Sequence, residues 1–108
     1  MKPKIYIAGK VTGEKLPHVT IKFRKAKKEL EKLGYEAINP LEVVNDFNCS
    51  WQYAMQKCIA ALRECEAVYF LPCYKRSKGA QIELNFAHNH NINVYTDVKQ
   101  IPDLNQNV

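Results

Sequence analysis

The sequence predicts an α/β protein with a flavodoxin- or Rossmann-like three-layer fold and a four-stranded parallel sheet in the order 2-1-3-4. The 108 residues are enough for about one domain. Short β-branched and aromatic segments alternate with amphipathic helical segments along the chain, and such alternation implies parallel strands joined by right-handed crossovers. The apolar run at residues 67–71 is typical of a strand buried on both faces.

The first half of the chain predicts two strands separated by one helix. Residues 4–8 are mostly β-branched or aromatic and end at Gly9, which indicates the first strand. Apolar residues then recur at spacings of four and three, as in an amphipathic helix: Val19, Phe23, Ala26, Leu30 and Leu33. Gly34 occupies the position of a C-terminal cap. Residues 35–39 form a short second strand, which Pro40 ends.

The second half repeats the alternation. Ser50 is a good N-cap, and it precedes a second helical stripe: Trp51, Met55, Cys58, Leu62 and Cys65. Residues 67–71 are the third strand, Ser77 begins a third helix that extends to about His90, and residues 92–95 are the last strand. We expect the central strands to be buried through four residues: Ile5, Ile7, Val68 and Phe70.

The composition and the ends of the chain limit the class of protein. With 46% hydrophobic and 25% charged residues the chain is globular, and no apolar run reaches the roughly 18 residues of a membrane span. The strand pattern begins within the first five residues, so we expect no signal peptide, a cytoplasmic location and no membrane partner. We place an α/β domain at residues 1–96 and a polar, loosely held tail at 97–108.

The net charge of +5 is unevenly distributed. Up to Tyr35 there are ten Lys and Arg against three acidic residues, or +7, and from Glu36 onward there are six against eight, or −2. No aromatic side chains interleave with the basic run as a base-stacking surface requires. We therefore interpret the run as a solvated helix face and expect no nucleic-acid partner, although a basic first helix leaves a weaker nucleic-acid hypothesis open.

The cysteine pattern favours free thiols. None of the four cysteines forms a C-x-x-C pair: Cys49, Cys58, Cys65 and Cys73. A zinc site made from the last two with His88 and His90 would match no standard finger or ribbon spacing. We expect reduced thiols, no metal ion and no other cofactor.

The candidate site lies beyond the carboxyl ends of the strands, where open parallel sheets bind ligands. Ser77 is placed to cap the third helix, whose first N–H groups favour an anion. Glu83 is in register with Gly79, and because helical side chains lean toward the N-terminus, its carboxylate would point into the cleft with nothing covering it. The alternative is an ordinary glutamate favoured by the helix dipole.

The loop after the first strand is a second candidate. Gly9 and Gly13 bracket Lys10 and Thr12, a donor-rich turn whose backbone amides suit a phosphate. The spacing is neither a P-loop nor the dinucleotide fingerprint, so a plain strand-to-helix turn is an equal alternative.

Three aromatic residues near the site are candidates for stacking on a base. We assign Trp51 to the core, while Tyr74 lies in the loop beside the site and is a better stacking candidate than Trp51 or Tyr53.

An ordered set of short motifs resembles the nucleoside 2-deoxyribosyltransferase-like superfamily, most closely its small uncharacterised branch of DUF4406 type. The match covers nearly the whole chain, to about Tyr95, and consists of I-Y-I-A-G at residues 5–9, N-P at 39–40, W-x-Y-x-M at 51–55, L-P at 71–72 and S-x-G-A-x-x-E at 77–83.

This resemblance implies roles for the matching residues. In characterised relatives a glutamate at the place of Glu83 attacks the anomeric carbon, and a tyrosine at the place of Tyr6 positions it. In the related deoxynucleoside monophosphate N-glycosidases the loop matching residues 10–13, with Ser77 and Gly79, holds the 5′-phosphate. Relatives usually complete their sites with a neighbouring subunit, which implies a homo-oligomer.

The chain also departs from the pattern of those enzymes. They carry an aspartate at the position of Cys58, and a thiol is much less acidic than a carboxylic acid. The aspartate common at the start of the third strand is Glu66 here, and the usual Pro-Gly-Trp is Pro-Cys-Tyr at 72–74. Two hypotheses follow: an enzyme acting on the N-glycosidic bond of a nucleoside or nucleotide, or a non-catalytic module that binds the same ligand.

Overall fold

Strands and helices alternate along residues 2–105, the part of the chain that the computed structural model describes. The elements are β1 (Lys4–Ala8), α1 (Leu16–Lys32), β2 (Glu36–Ile38), α2 (Pro40–Val44), α3 (Trp51–Arg63), β3 (Ala67–Phe70), α4 (Lys78–Asn89) and β4 (Asn93–Tyr95). Two short 3₁₀ helices cover Pro72–Arg76 and Val98–Gln100.

The sheet has the predicted topology. Its strands are all parallel and lie in the order β2-β1-β3-β4. Ile5 in β1 is in register with Ala37 in β2 on one side and with Ala67 in β3 on the other. The predicted α/β class, the four parallel strands and the order 2-1-3-4 are confirmed.

The two faces of the sheet form separate cores because successive strand residues point to opposite sides. Ile5 and Ile7 pack against α1, whereas Tyr6 and Ala8 pack against α3 and α4 on the other face. This is the three-layer arrangement expected for a Rossmann-like fold. The expected burial of the central strands is confirmed, since four side chains are fully covered: Ile5, Ile7, Val68 and Phe70.

The predicted helices are present with small shifts at their ends. α1 buries the predicted residues Val19, Phe23, Ala26 and Leu30, but Leu33 is its C-cap rather than a helical residue. Gly34 follows with φ +100, a left-handed conformation that glycine adopts without strain. Ser50 and Ser77 cap α3 and α4 through hydrogen bonds to backbone N–H groups.

The short helix α2 was not predicted from the sequence. Pro40 ends the second strand as expected, but it also occupies the first turn of α2, where a missing N–H costs nothing. The Asn39 side chain caps this helix by accepting a hydrogen bond from the Leu41 N–H at 3.0 Å. Asn45, with φ 49, ends it in the left-handed conformation.

The expectation of a loosely held C-terminal tail is wrong for residues 97–105. Ile101 is 5% exposed and belongs to the core on the α1 face. The Tyr35 hydroxyl donates to the Pro102 carbonyl at 2.8 Å, and the Leu104 N–H donates to the Leu33 carbonyl at 2.8 Å. Residues 106–108 lie outside the described part, and a domain boundary at residue 96 stays a prediction.

No helix within residues 2–105 is long and apolar enough to cross a membrane.

The anchoring of the tail by Ile101 is testable. Ile101→Ala should lower the free energy of unfolding by about 2 kcal/mol or more, because it removes buried methyl groups and leaves a cavity. Leu104→Ala is the matched control, since Leu104 is 47% exposed, and it should cost less than about 1 kcal/mol. Chemical denaturation measures both, and equal small losses would show that the tail adds no stability.

Candidate functional site

A cleft of about 710 Å³ opens at the carboxyl end of β1. Its walls are the loop after β1, the segment from α2 to the start of α3, and the first turns of α4. Two of these walls, the loop after β1 and the start of α4, were predicted from the sequence. They meet here because the carboxyl ends of parallel strands share one edge of the sheet.

Glu83 and Tyr6 lie together at the bottom of this cleft. Glu83 is 5% exposed because α4 presents it to the sheet on the same face as Ala80 and Ala87. Tyr6 is fully buried in β1, and its hydroxyl donates a 2.6 Å hydrogen bond to Glu83 Oε2. The expected contact between the two side chains is therefore present.

Burial controls the protonation of this pair. Removal from water raises the pKa of Glu83 from 4.5 to about 7, and the hydrogen bond from Tyr6 offsets part of that rise. Burial, followed by the neighbouring Glu83 charge, raises the pKa of Tyr6 well above its ordinary value. Tyr6 therefore stays protonated and donates its hydrogen bond throughout the range in which Glu83 ionises.

Cys58 is the third buried group at the bottom of the cleft. It lies on α3 beside Tyr6 and is 7% exposed. Burial raises the pKa of its thiol to about 11, and a hydrogen bond with Tyr6 opposes part of that rise. A neutral thiol is neither an activated nucleophile nor a good acid, which argues against Cys58 as an alternative to Glu83.

Gly79 lies directly beside Met55. A Cβ atom at position 79 would stand 3.0 Å from the Met55 sulfur, closer than such contacts ordinarily come. The space beside Gly79 is therefore not empty as expected, because the Met55 side chain occupies it, and Glu83 is only 5% exposed. A thioether side chain is flexible, so a ligand that enters beside Gly79 can displace Met55.

The start of α4 has the features of an anion site. Ser77 Oγ accepts from the Ala80 N–H at 3.1 Å, and the first N–H groups of a helix have no partner within it. Lys10, Arg76 and Lys78 also line the cleft. The cleft thus offers an anion both positively charged side chains and the free N–H groups of a helix start.

A partly buried lysine fixes the loop after β1. Lys22 on α1 donates three hydrogen bonds from its ammonium: to the Lys10 carbonyl at 2.9 Å, to Glu14 Oε1 at 3.1 Å and to Cys73 Sγ at 3.2 Å. Lys22 was not predicted as a site residue, because nothing in the basic run distinguishes it from its exposed neighbours.

Trp51 was assigned to the core, and that prediction is wrong. It is the first residue of α3, it is 37% exposed and it lines the cleft. The Lys78 ammonium lies 5.0 Å from the centre of its ring. A helical stripe marks the inward face of a helix, but Trp51 is the first residue of α3 and borders the cleft instead of the core.

The rim of the cleft is largely apolar and was also missed. Leu41 and Val44 of α2 line it together with the exposed Phe47. Leu41 and Val44 belong to a helix that was not predicted, and Phe47 lies in a predicted loop to which no function was assigned.

Most of the predicted site residues line the cleft: Tyr6, Gly9, Lys10, Thr12, Cys58, Ser77, Gly79 and Glu83. Gly13 and Tyr74 are not among its lining residues. Gly13 borders open space, and Tyr74 packs its ring on Phe70 with 5.2 Å between the centres. Tyr74 is therefore not placed to stack on a ligand in the cleft.

No group of three or more metal-ligating His, Cys, Asp or Glu side chains occurs in the described part of the chain. All four cysteines are free thiols. His88 and His90 are exposed at the far end of α4, where His90 stacks on Phe86.

Comparison with known proteins gives one family match. The family model described as "Domain of unknown function (DUF4406)" matches residues 3–96. No curated protein matches the chain.

The buried carboxylate makes stability depend on pH in a definite direction. Because the pKa of Glu83 is higher in the folded chain than its ordinary 4.5, its contribution is fully present below pH 4.5 and is lost as pH rises through about 7. Glu83→Gln removes this dependence. Relative to wild type, the variant should gain stability from pH 5 to pH 8, by at most about 3 kcal/mol.

Denaturation at several pH values measures that difference. Glu64→Gln, which removes a carboxylate at an exposed position, is the control, and the gain from Glu83→Gln should exceed any change that it shows. A Glu83→Gln variant that is less stable by about 1 kcal/mol at every pH would instead mark an ordinary helix-dipole glutamate.

Proposed function

This chain belongs to the DUF4406 family of domains of unknown function, and we propose that it cleaves or transfers the N-glycosidic bond of a nucleoside or nucleotide. In this proposal Glu83 is the nucleophile and Tyr6 positions it. The resemblance to the nucleoside 2-deoxyribosyltransferase-like superfamily motivates the choice of substrate.

The observation that carries the proposal is the state of Glu83. It is the only buried charged side chain among the described residues, and its pKa is raised to about 7 at the bottom of a cleft. Burying a carboxylate opposes its ionisation and adds nothing to packing that an apolar residue would not provide. Such a group in a cleft is a candidate for catalysis.

The chemistry requires two displacements at one carbon. A carboxylate oxygen attacks the anomeric carbon, the C–N bond breaks, and the base leaves with the bonding electrons and takes up a proton. Water, or a second base, then displaces the glutamate from the sugar and releases a proton, which balances the proton that the leaving base took from solvent. Tyr6, by donating to Oε2, holds the carboxylate in one orientation for both steps.

The other predicted residues have supporting roles in this proposal. The loop after β1 contributes Gly9, Lys10 and Thr12, and the start of α4 contributes Ser77 and Gly79. Together they would hold the polar end of the ligand, including a 5′-phosphate where one is present. A homo-oligomeric state and a cytoplasmic location stay predictions.

The presence of Cys58 instead of an acid favours a second candidate function, that of a non-catalytic nucleotide-binding module. The leaving base needs a proton, and a thiol with a pKa of about 11 is a poor donor at neutral pH. A chain that kept the cleft but lost this donor would still bind nucleotides. Asp46 is the other carboxylate that lines the cleft, but it is exposed on the loop before α3 and is not one of the buried groups at the bottom.

Base release from 2′-deoxynucleosides and their 5′-monophosphates tests the enzyme proposal. Release should be measurable with wild type, and Glu83→Gln should reduce it by about a thousandfold or more, as expected for a lost nucleophile. Unchanged release by this variant would end the proposal. Binding without release by wild type would favour the module.

The pH profile tests the role of Tyr6. Because Glu83 must be ionised to attack, kcat/KM should fall about tenfold per pH unit below pH 7. The Tyr6 hydrogen bond lowers the pKa of Glu83, so Tyr6→Phe should move this limb to higher pH. A Tyr6→Phe variant with slower turnover but an unmoved pH profile would contradict the positioning role.

A further inference from the structure

We propose that Trp51 and Lys78 determine which ligands the cleft accepts. In the free protein Lys78 covers one face of the Trp51 ring, and a ligand that carries both an aromatic base and an anionic group displaces it. The inference rests on the proposed function only in taking a nucleoside phosphate as the ligand; it does not depend on catalysis.

The two residues face each other across the mouth of the cleft. Trp51 is the first residue of α3 and Lys78 is the first residue of α4, and both line the cleft. The Lys78 ammonium lies 5.0 Å from the Trp51 ring centre, within the range of a cation–π contact. Because Trp51 is 37% exposed, a planar ligand can reach its ring.

The face of an aromatic ring holds one partner at a time. A nucleobase stacks on the same π-surface that attracts an ammonium group. A neutral nucleoside must therefore displace Lys78 without replacing its electrostatic partner. The strength of an exposed cation–π contact corresponds to a loss of affinity of about two- to fivefold.

An anionic group removes this penalty. Ser77 and Gly79 adjoin Lys78 at the start of α4, and the free N–H groups there favour an anion. A phosphate bound at that point gives the Lys78 ammonium a full negative charge as its partner, which is stronger than the π-face. The ammonium then leaves Trp51 free for the base, so the two halves of the ligand assist each other.

The cleft therefore selects nucleoside monophosphates over neutral nucleosides, and also over sugar phosphates that lack a base. A similar contact in α3 supplies a matched control. The Lys57 ammonium lies 5.5 Å from the ring centre of Tyr53, and neither residue lines the cleft. Removing Lys57 changes the charge and a cation–π contact without touching the mouth of the cleft.

Trp51 is the only tryptophan in the chain, so its fluorescence reports on the site directly. The probes are 2′-deoxyadenosine, its 5′-monophosphate and 2-deoxyribose 5-phosphate, titrated in a Glu83→Gln background that keeps them intact. The reference is the Glu83→Gln protein that keeps Lys78. Compared with it, the protein that also carries Lys78→Met should bind 2′-deoxyadenosine about two- to fivefold more tightly and the monophosphate more weakly. Lys57→Met should change neither affinity.

Calorimetry on Trp51 variants completes the test. Trp51→Leu should weaken the monophosphate but not 2-deoxyribose 5-phosphate, and Trp51→Phe, which keeps an aromatic face, should restore part of the loss. The inference is overturned if Lys78→Met shifts both adenine ligands in the same direction, if Trp51→Leu has no effect, or if none of the probes binds.

Failure of catalysis is distinguishable from failure of this inference. Opposite shifts in Lys78→Met without base release by wild type would support the Trp51–Lys78 pair and end the enzyme proposal. If wild type releases base but Lys78→Met shifts the affinities for the nucleoside and the monophosphate alike, the enzyme proposal stands and the Trp51–Lys78 inference is overturned.

Discussion

The central position of β1 in a parallel sheet is the constraint on which the site depends. With β2 and β3 as neighbours and helices on both faces, the Tyr6 side chain is fully buried. A buried hydroxyl must find a hydrogen-bond partner, and Glu83 supplies it at 2.6 Å. Among the described residues no buried side-chain nitrogen or oxygen lacks a partner. The pair is thus structurally satisfied although one member is an acid.

Satisfying Tyr6 does not make Glu83 a stabilising residue. The hydrogen bond lowers its pKa, but burial raises the pKa more, to about 7. At neutral pH the fold therefore holds a carboxylate that is close to half ionised in an environment that disfavours its charge. A glutamine would satisfy Tyr6 equally well through its amide oxygen. What glutamate adds over glutamine is the capacity to carry a negative charge and to form a bond.

The residues at the mouth of the cleft differ from those at its bottom in their exposure to solvent. The floor residues Tyr6, Cys58 and Glu83 are rigidly enclosed, whereas Phe47 and Trp51 at the rim are exposed apolar side chains. Exposed apolar surface in a concave site favours the burial of a ligand. Three cations and two carboxylates line the same space, so the cleft combines apolar walls with a small excess of positive charge.

The four strands, the three longer helices and their order could be predicted from the sequence, because hydrophobic period and capping residues are local properties of the chain. It located Ser77, Gly79 and Glu83 on one helix end for the same reason. The pairing of Glu83 with Tyr6, 77 positions away, came only from the resemblance, since no local pattern connects the two. Tertiary structure alone decided the exposure of Trp51, the place of Tyr74 against Phe70 and the burial of Ile101. Periodicity shows which face of a helix points inward. Whether the first residue of a helix borders the core or a cleft, and where a single apolar residue in a polar segment packs, depend on contacts between distant parts of the chain.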